Sequence, residues 1–166
     1  IKKYTDYIVD EVVKLLAIDS PTGYTDEAAA FVMAEFKKLG YEPKLTNKGG
    51  VLVCLGGKDQ NNGLLLEAHT DTLGGMVATI KEDGRLKITP LGGMNANNAE
   101  TENVRIITKF DGVYEGTCQL SNASIHVNGE YNDTKRTFDS VEIVIDEAVS
   151  SKEDVEKLGI SVGDIV

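Results

Sequence analysis

From Tyr4 to Ile18 the apolar residues Ile8, Val9, Val12, Leu15 and Leu16 recur at intervals of three and four, the spacing of one helical face. The spacing predicts an amphipathic helix. Ser20-Pro21-Thr22-Gly23 interrupts it, and Thr25 followed by Asp26 and Glu27 has the form of an N-cap with an acidic first turn. A second helix follows, with Ala28, Phe31, Val32, Glu35 or Phe36, and Leu39 on its inner stripe and Gly40 where a left-handed C-terminal residue belongs. The period then changes to short apolar runs at 44–46, 51–55 and 64–68, bounded by Gly49-Gly50 and Asn61-Asn62-Gly63, and these predict strands. Leu64, Leu65 and Leu66 do not alternate with polar residues, which suits a strand covered on both faces. Residues 1–73 therefore read as part of an α/β unit in which helices cover a sheet.

Beyond this point the pattern is strand after strand: 76–80, 86–89, 104–108, 113–120, 124–127 and 141–145. An Asp83-Gly84 turn and a Gly- and Asn-rich loop over 92–98 divide them. With no helical period between them, they predict a small β-barrel or sandwich inserted over 74–148. Ser151 with Glu153 and Asp154 predicts a short helix over 150–158, and 160–166 begins another strand, so 149–166 leads back towards the α/β unit. Two helices and two or three strands cannot cover both faces of a layered sheet, and further sequence is expected beyond Val166.

The composition adds exclusions. Lys and Arg number 17 against 27 Asp and Glu, a net charge of −10, and the basic residues are scattered. Nucleic acid is therefore not an expected partner, since phosphate binding needs clustered cations. No apolar run approaches the roughly 20 residues of a bilayer crossing, and no membrane partner is expected. A content of 41% hydrophobic and 27% charged residues is that of a globular chain with a core. Cys54 and Cys118 stand far apart in apolar runs and are expected to be buried thiols. Neither a disulfide framework nor a thiolate metal site fits that spacing, which points to a reducing cytoplasm.

His69 and Asp71 follow the 64–68 run and lie two residues apart, so an extended chain projects both side chains to one side. Ligands of open α/β sheets bind beyond the C-terminal ends of strands, where this pair falls. The imidazole suits a metal, and the carboxylate could fix its tautomer; a loop histidine bonded to a neighbouring aspartate would have the same sequence. Glu67 shares that side and reads as a structural partner of a helix. His126 reads as a surface or interface histidine, and Glu100, Glu102, Asp111, Asp133 and Asp139 read as solvated charges. The Walker phosphate loop, the dinucleotide fingerprint and the serine-nucleophile elbow are missing, and Cys54 has no charged neighbour to activate it.

Read as a series, Ser20-Pro21-Thr22-Gly23, Lys38-Leu39-Gly40, Asn47-Lys48-Gly49-Gly50 and Glu67-Ala68-His69-Thr70-Asp71-Thr72-Leu73-Gly74-Gly75-Met76-Val77 resemble the glutamyl or deblocking aminopeptidases. These are two-metal enzymes that build tetrahedral dodecamers. The likeness continues through Glu102-Asn103-Val104, Ile125-His126-Val127, Ile145-Asp146-Glu147 and Lys157-Leu158-Gly159-Ile160-Ser161-Val162-Gly163-Asp164.

The resemblance implies that His69 is the first ligand of a site for two divalent ions, zinc or cobalt with manganese possible. It implies that Asp71 is a catalytic group orienting or polarising that ligand, and that the β-rich stretch is an assembly domain of a homo-oligomer. Peptides are then the substrates, and the remaining ligands and the general base lie beyond Val166. A non-catalytic assembly or binding module keeping a vestigial His-x-Asp is the competing reading. A glycosidase is rejected, because Glu67 and Asp71 stand about 13 Å apart on an extended strand, beyond the roughly 5 to 10 Å of paired glycosidase carboxylates.

Overall fold

A computed structural model of the chain describes residues 2–59 and 61–166, which divide into two compact units, residues up to Thr72 and Leu73–Val166. The first unit opens with helix α1 (Lys2–Leu16) and helix α2 (Asp26–Lys38). Thr25 stands at the N-cap of α2 but its side chain makes no cap bond, leaving Asp26 and Glu27 to favour the positive end of the helix. Leu39 closes α2 and Gly40 follows with φ +88°, the left-handed residue that the sequence places there. Strands β1 (Lys44–Leu45) and β2 (Val51–Leu52) pair antiparallel, Lys44 opposite Leu52.

Two expectations fail in this unit. Residues 64–68 join no ladder, and Leu64, Leu65 and Leu66 are 73% or more exposed. An apolar run becomes a buried strand only where another strand lies along its edge, and among the described residues none does. Cys54 is exposed, because pairing ends at Leu52 and the chain leaves the hairpin before reaching it. The apolar stripe of α1 is likewise uncovered, with no buried residue along the helix.

In the second unit β3 (Gly74–Ile80), β4 (Leu86–Leu91), β5 (Asn103–Ile107), β6 (Val113–Leu120) and β7 (Val141–Ile145) form an antiparallel sheet in the order β3-β4-β7-β6-β5. Its two edges meet at the end of the chain. Gly75 and Val166 exchange backbone hydrogen bonds of 2.6 and 2.8 Å, Val77 donates to the Asp164 carbonyl at 2.8 Å, and Ile107 and Ile165 exchange bonds of 2.8 and 3.1 Å. Residues 163–166 thus pair with β3 on one side and β5 on the other, closing the sheet into a small barrel. The strand that the sequence begins at 160 is realised as this closing segment.

Leu86, Ile106, Leu120 and Ile143 fill the interior, joined by Val155 from helix α4 (Lys152–Lys157) and by Ile160. The segment after 149 is therefore packed into the barrel unit. Ser151 caps α4 as its sequence predicts, its Oγ accepting the Asp154 amide at 3.2 Å. Cys118 is buried as expected, and burial pushes its thiol up.

Residues 124–127 form turns instead of the predicted strand. The Asn128 and Val127 amides bond back to the Ser124 carbonyl at 2.8 and 3.2 Å, and Asn128 Nδ2 donates to the Asn122 carbonyl at 2.8 Å. Polar groups satisfied within the loop are not available for a ladder. Helix α3 (Ala96–Ala99) arises inside the Gly/Asn loop because Asn95 Oδ1 caps the Asn97 amide at 2.9 Å. Glu100 is not a solvated charge. Arg136 clasps it at 2.8 and 3.3 Å, with both side chains largely buried.

Glu142 on β7 is a charge the strand pattern concealed. Its side chain is fully buried and accepts from Lys81 at 2.8 Å and from Arg85. Burial opposes its ionisation, but the bonds from Lys81 and Arg85 outweigh that and hold the carboxyl below the usual range. A carboxyl lowered on folding stabilises fully above its ordinary value of about 4.3 and ceases to do so as pH falls through its folded value. We expect Glu142→Gln to cost roughly 2–4 kcal/mol at pH 7, at the low end for a broken buried pair because both cations reach solvent, and much less near pH 3. Urea unfolding at the two pH values measures this; an equal cost at both would show that the charge is not what matters.

Candidate functional site

The site is built from two segments of the first unit, the loop after α1 and residues 69–72. Ser20 is fully buried, and it grips the second segment on both sides of Asp71. Its carbonyl accepts the Thr72 amide at 2.8 Å and its hydroxyl donates to the Thr70 carbonyl at 3.1 Å. Pro21 and Thr72 form a parallel bridge. The Tyr24 amide then donates to the Pro21 carbonyl at 2.7 Å, with Gly23 at φ +92°, so residues 21–24 make a turn whose third position requires a positive φ.

Within this frame His69 and Asp71 meet as the sequence predicts. Nδ1 of His69 lies 3.0 Å from the Asp71 carbonyl oxygen and 3.2 Å from Asp71 Oδ1. Both neighbours accept and neither donates, so Nδ1 carries the proton and the Nε2 lone pair is left free. The ring is 85% exposed, so Nε2 is open to a ligand. Asp71 Oδ2 accepts the Thr22 hydroxyl at 2.6 Å. That bond, against some desolvation and helped by the Asp71 amide and by His69, holds the carboxyl below its ordinary range. Asp71 is therefore an ionised acceptor at neutral pH.

Glu67 is exposed and stands outside this chain of bonds, while His126 lies exposed in the 121–140 loop of the other unit. Below the His69–Asp71 pair an open trough of about 1480 Å³ runs past Leu52, Cys54, Leu64 and Leu66, with Val32 and Phe36 of α2 on its wall.

The family model for M42 glutamyl aminopeptidases matches residues 49–166, more than two thirds of the chain. The chain belongs to this family. The putative aminopeptidase YhfE of Bacillus subtilis is 40% identical over 157 residues, covering 94% of this chain and 45% of that protein. Aminopeptidase APDkam598 from Desulfurococcus kamchatkensis shares the fold at a TM-score of 0.78 and 28% identity, over 92% of this chain and 40% of its own. The TET1 peptidase of Pyrococcus horikoshii, which can assemble into a tetrahedron or a large octahedral shell, matches 95% of this chain and 46% of its own at a TM-score of 0.74 and 22% identity. The chain spans under half the length of each of these three.

In this M42 chain the donor chemistry fits one position on a divalent ion: an imidazole with its outer nitrogen free and its inner nitrogen held by a carboxylate. Among the described residues no group of three or more His, Cys, Asp and Glu is placed to hold a metal. Ser20 and Thr22 are the residues that a reading of the M42 sequence passes over. Their signal is the pair of hydroxyls on either side of Pro21, which the sequence shows as a helix break and a family motif but not as partners of residues 70–72.

Proposed function

We propose that this chain is part of a metal-dependent aminopeptidase and supplies His69 as one ligand to a pair of divalent ions, with Asp71 orienting it. The supporting observation is the pair of acceptor oxygens on His69 Nδ1, in a chain of the M42 family. When bound, the ions supply Lewis-acid activation of water for hydrolysis of an N-terminal peptide bond. His69 presents Nε2, and Asp71 keeps the proton on Nδ1 so that this lone pair stays available. Zinc, cobalt and manganese all suit imidazole with carboxylates. Peptide substrates are supported by the names of the relatives. The uncovered leucines at 64–66 and the apolar trough beside them fit a sheet completed by further strands of the same enzyme. The two unpaired cysteines agree with a cytoplasmic setting.

The barrel is the assembly domain of a homo-oligomer in this reading. It carries no cluster of metal-binding side chains, and the shell-forming TET1 peptidase shares its fold. A non-catalytic module with an inherited His-x-Asp is the second reading, and the lack of a three-ligand group among the described residues favours it. Metal and activity measurements on the complete protein separate the two.

The 166-residue chain alone should bind zinc weakly and release nothing from amino-acyl anilides, since one imidazole cannot hold two ions. Cleavage that disappears in His69→Ala would overturn this half-site view. In the complete enzyme His69→Ala should lose both metal and activity. Asp71→Asn should retain most of the metal while turnover falls roughly 10- to 100-fold. Metal analysis beside kinetics decides, and wild-type turnover in Asp71→Asn at full occupancy would leave Asp71 only a structural part. Replacing residues 73–166 of the complete enzyme by a short linker should reduce it to small oligomers or monomers by light scattering, whereas an unchanged mass would place the contacts elsewhere.

A further inference from the structure

We propose that Thr22 is a positioning residue for the site: its hydroxyl locks the Asp71 carboxylate in the orientation that holds the proton on His69 Nδ1. The proposal rests on the reading of His69 as a metal-facing imidazole, and it assigns a role to a loop that reading leaves unused.

Asp71 has one oxygen for each neighbour. Oδ1 stands 3.2 Å from His69 Nδ1, and Oδ2 takes the Thr22 hydroxyl at 2.6 Å. The Asp71 side chain is 35% exposed, so without Thr22 it would be free to turn towards water and to leave the imidazole with the backbone carbonyl as its only anchor. A neutral imidazole in water prefers its proton on Nε2, the nitrogen needed here as a lone pair. The orientation of the carboxylate therefore decides whether Nδ1 faces one acceptor oxygen or two, and so how strongly the tautomer is biased towards Nδ1–H.

The loop is constructed to deliver this hydroxyl. Ser20, fully buried, binds the backbone at Thr70 and at Thr72, which brackets Asp71, and the parallel bridge from Pro21 to Thr72 sets the register. The turn over 21–24 follows at once, with Thr22 at its second position and Gly23 at φ +92°. Proline fixes the backbone angle before Thr22, and a β-branched side chain has few χ1 rotamers, so little freedom remains for the hydroxyl. Each of these features lies in sequence about 50 residues from Asp71, and none is needed merely to end a helix.

The test is the tautomer of His69, read from its ring nitrogen shifts at about pH 9, well above the ordinary imidazole range. The wild type should show predominantly Nδ1–H. Thr22→Val, which keeps the shape and removes the hydroxyl, should raise the Nε2–H fraction measurably, and Thr22→Ser should restore the wild-type pattern. Asp71→Ala should reproduce the effect, with no further change on adding Thr22→Val, because Thr22 acts only through Asp71. Zinc affinity should fall roughly 3- to 10-fold in Thr22→Val, less than the loss typical of a ligand's direct partner.

A tautomer ratio that ignores Thr22→Val, or that Thr22→Ser fails to restore, overturns the proposal. Should Thr22→Val not fold, Thr22→Ser and Asp71→Ala carry the comparison: a serine variant with the tautomer of Asp71→Ala refutes the role, and one with the wild-type tautomer supports it. Zinc added to the wild type keeps the two ideas apart. If zinc leaves the His69 resonances unmoved while the tautomer still follows Thr22, the metal reading fails and the positioning role stands. If zinc shifts them but the tautomer does not follow Thr22, the positioning role fails alone.

Discussion

An antiparallel sheet of five strands exposes two rows of unpaired backbone groups, and in this chain four residues bond to both. Residues 163–166 bond to Gly75 and Val77 on β3 and to Ile107 on β5, so that strands far apart in sequence share one closing partner. The closure depends in turn on Asp164. Its buried carboxylate accepts the Lys109 amide at 3.0 Å and the Ser161 amide at 2.7 Å, fixing the segment where it enters the ring. Without that segment β3 and β5 would be open edges, and Ile160 would lose its place in the core.

The first unit is organised by a smaller but comparable device. Ser20 uses its carbonyl and its hydroxyl to hold a segment that pairs with no strand, and Asp71 and His69 owe their geometry to that grip. Magnitude matters here. An exposed His–Asp contact is worth little as an ion pair, on the order of 1 kcal/mol or less. What it biases is a proton's position, and each acceptor oxygen on Nδ1 adds to that bias. The same unit leaves α1 and the leucines at 64–66 uncovered, so the site stands on a scaffold whose apolar surface is not closed by the described residues.

The helices and most strands were legible because their signals are local. Three- and four-residue spacing placed α1 and α2, Gly40 marked the end of α2, and alternation placed β3 to β7 to within a few residues. The failures share one cause: the deciding partner was distant in sequence or not of the expected kind. Residues 64–68 have strand composition but no strand beside them among the described residues, and residues 124–127 have strand composition but an Asn128 that satisfies the loop internally. Glu100 reads as a surface charge, and Glu142 passes without a reading, because nothing near them in sequence announces Arg136, Lys81 or Arg85 as partners.

The sequence alone determined the family, the order of elements and the residue pair at the site, since each is written in short-range spacing: motifs, periodicity, and two side chains separated by one residue. Tertiary structure decided the closure of the barrel by 163–166, the ionisation of a buried glutamate, and the orientation of the Asp71 carboxylate beside His69. Each of these depends on a hydrogen bond between residues some 50 or more positions apart, and only the folded chain determines which donors and acceptors such a bond brings together.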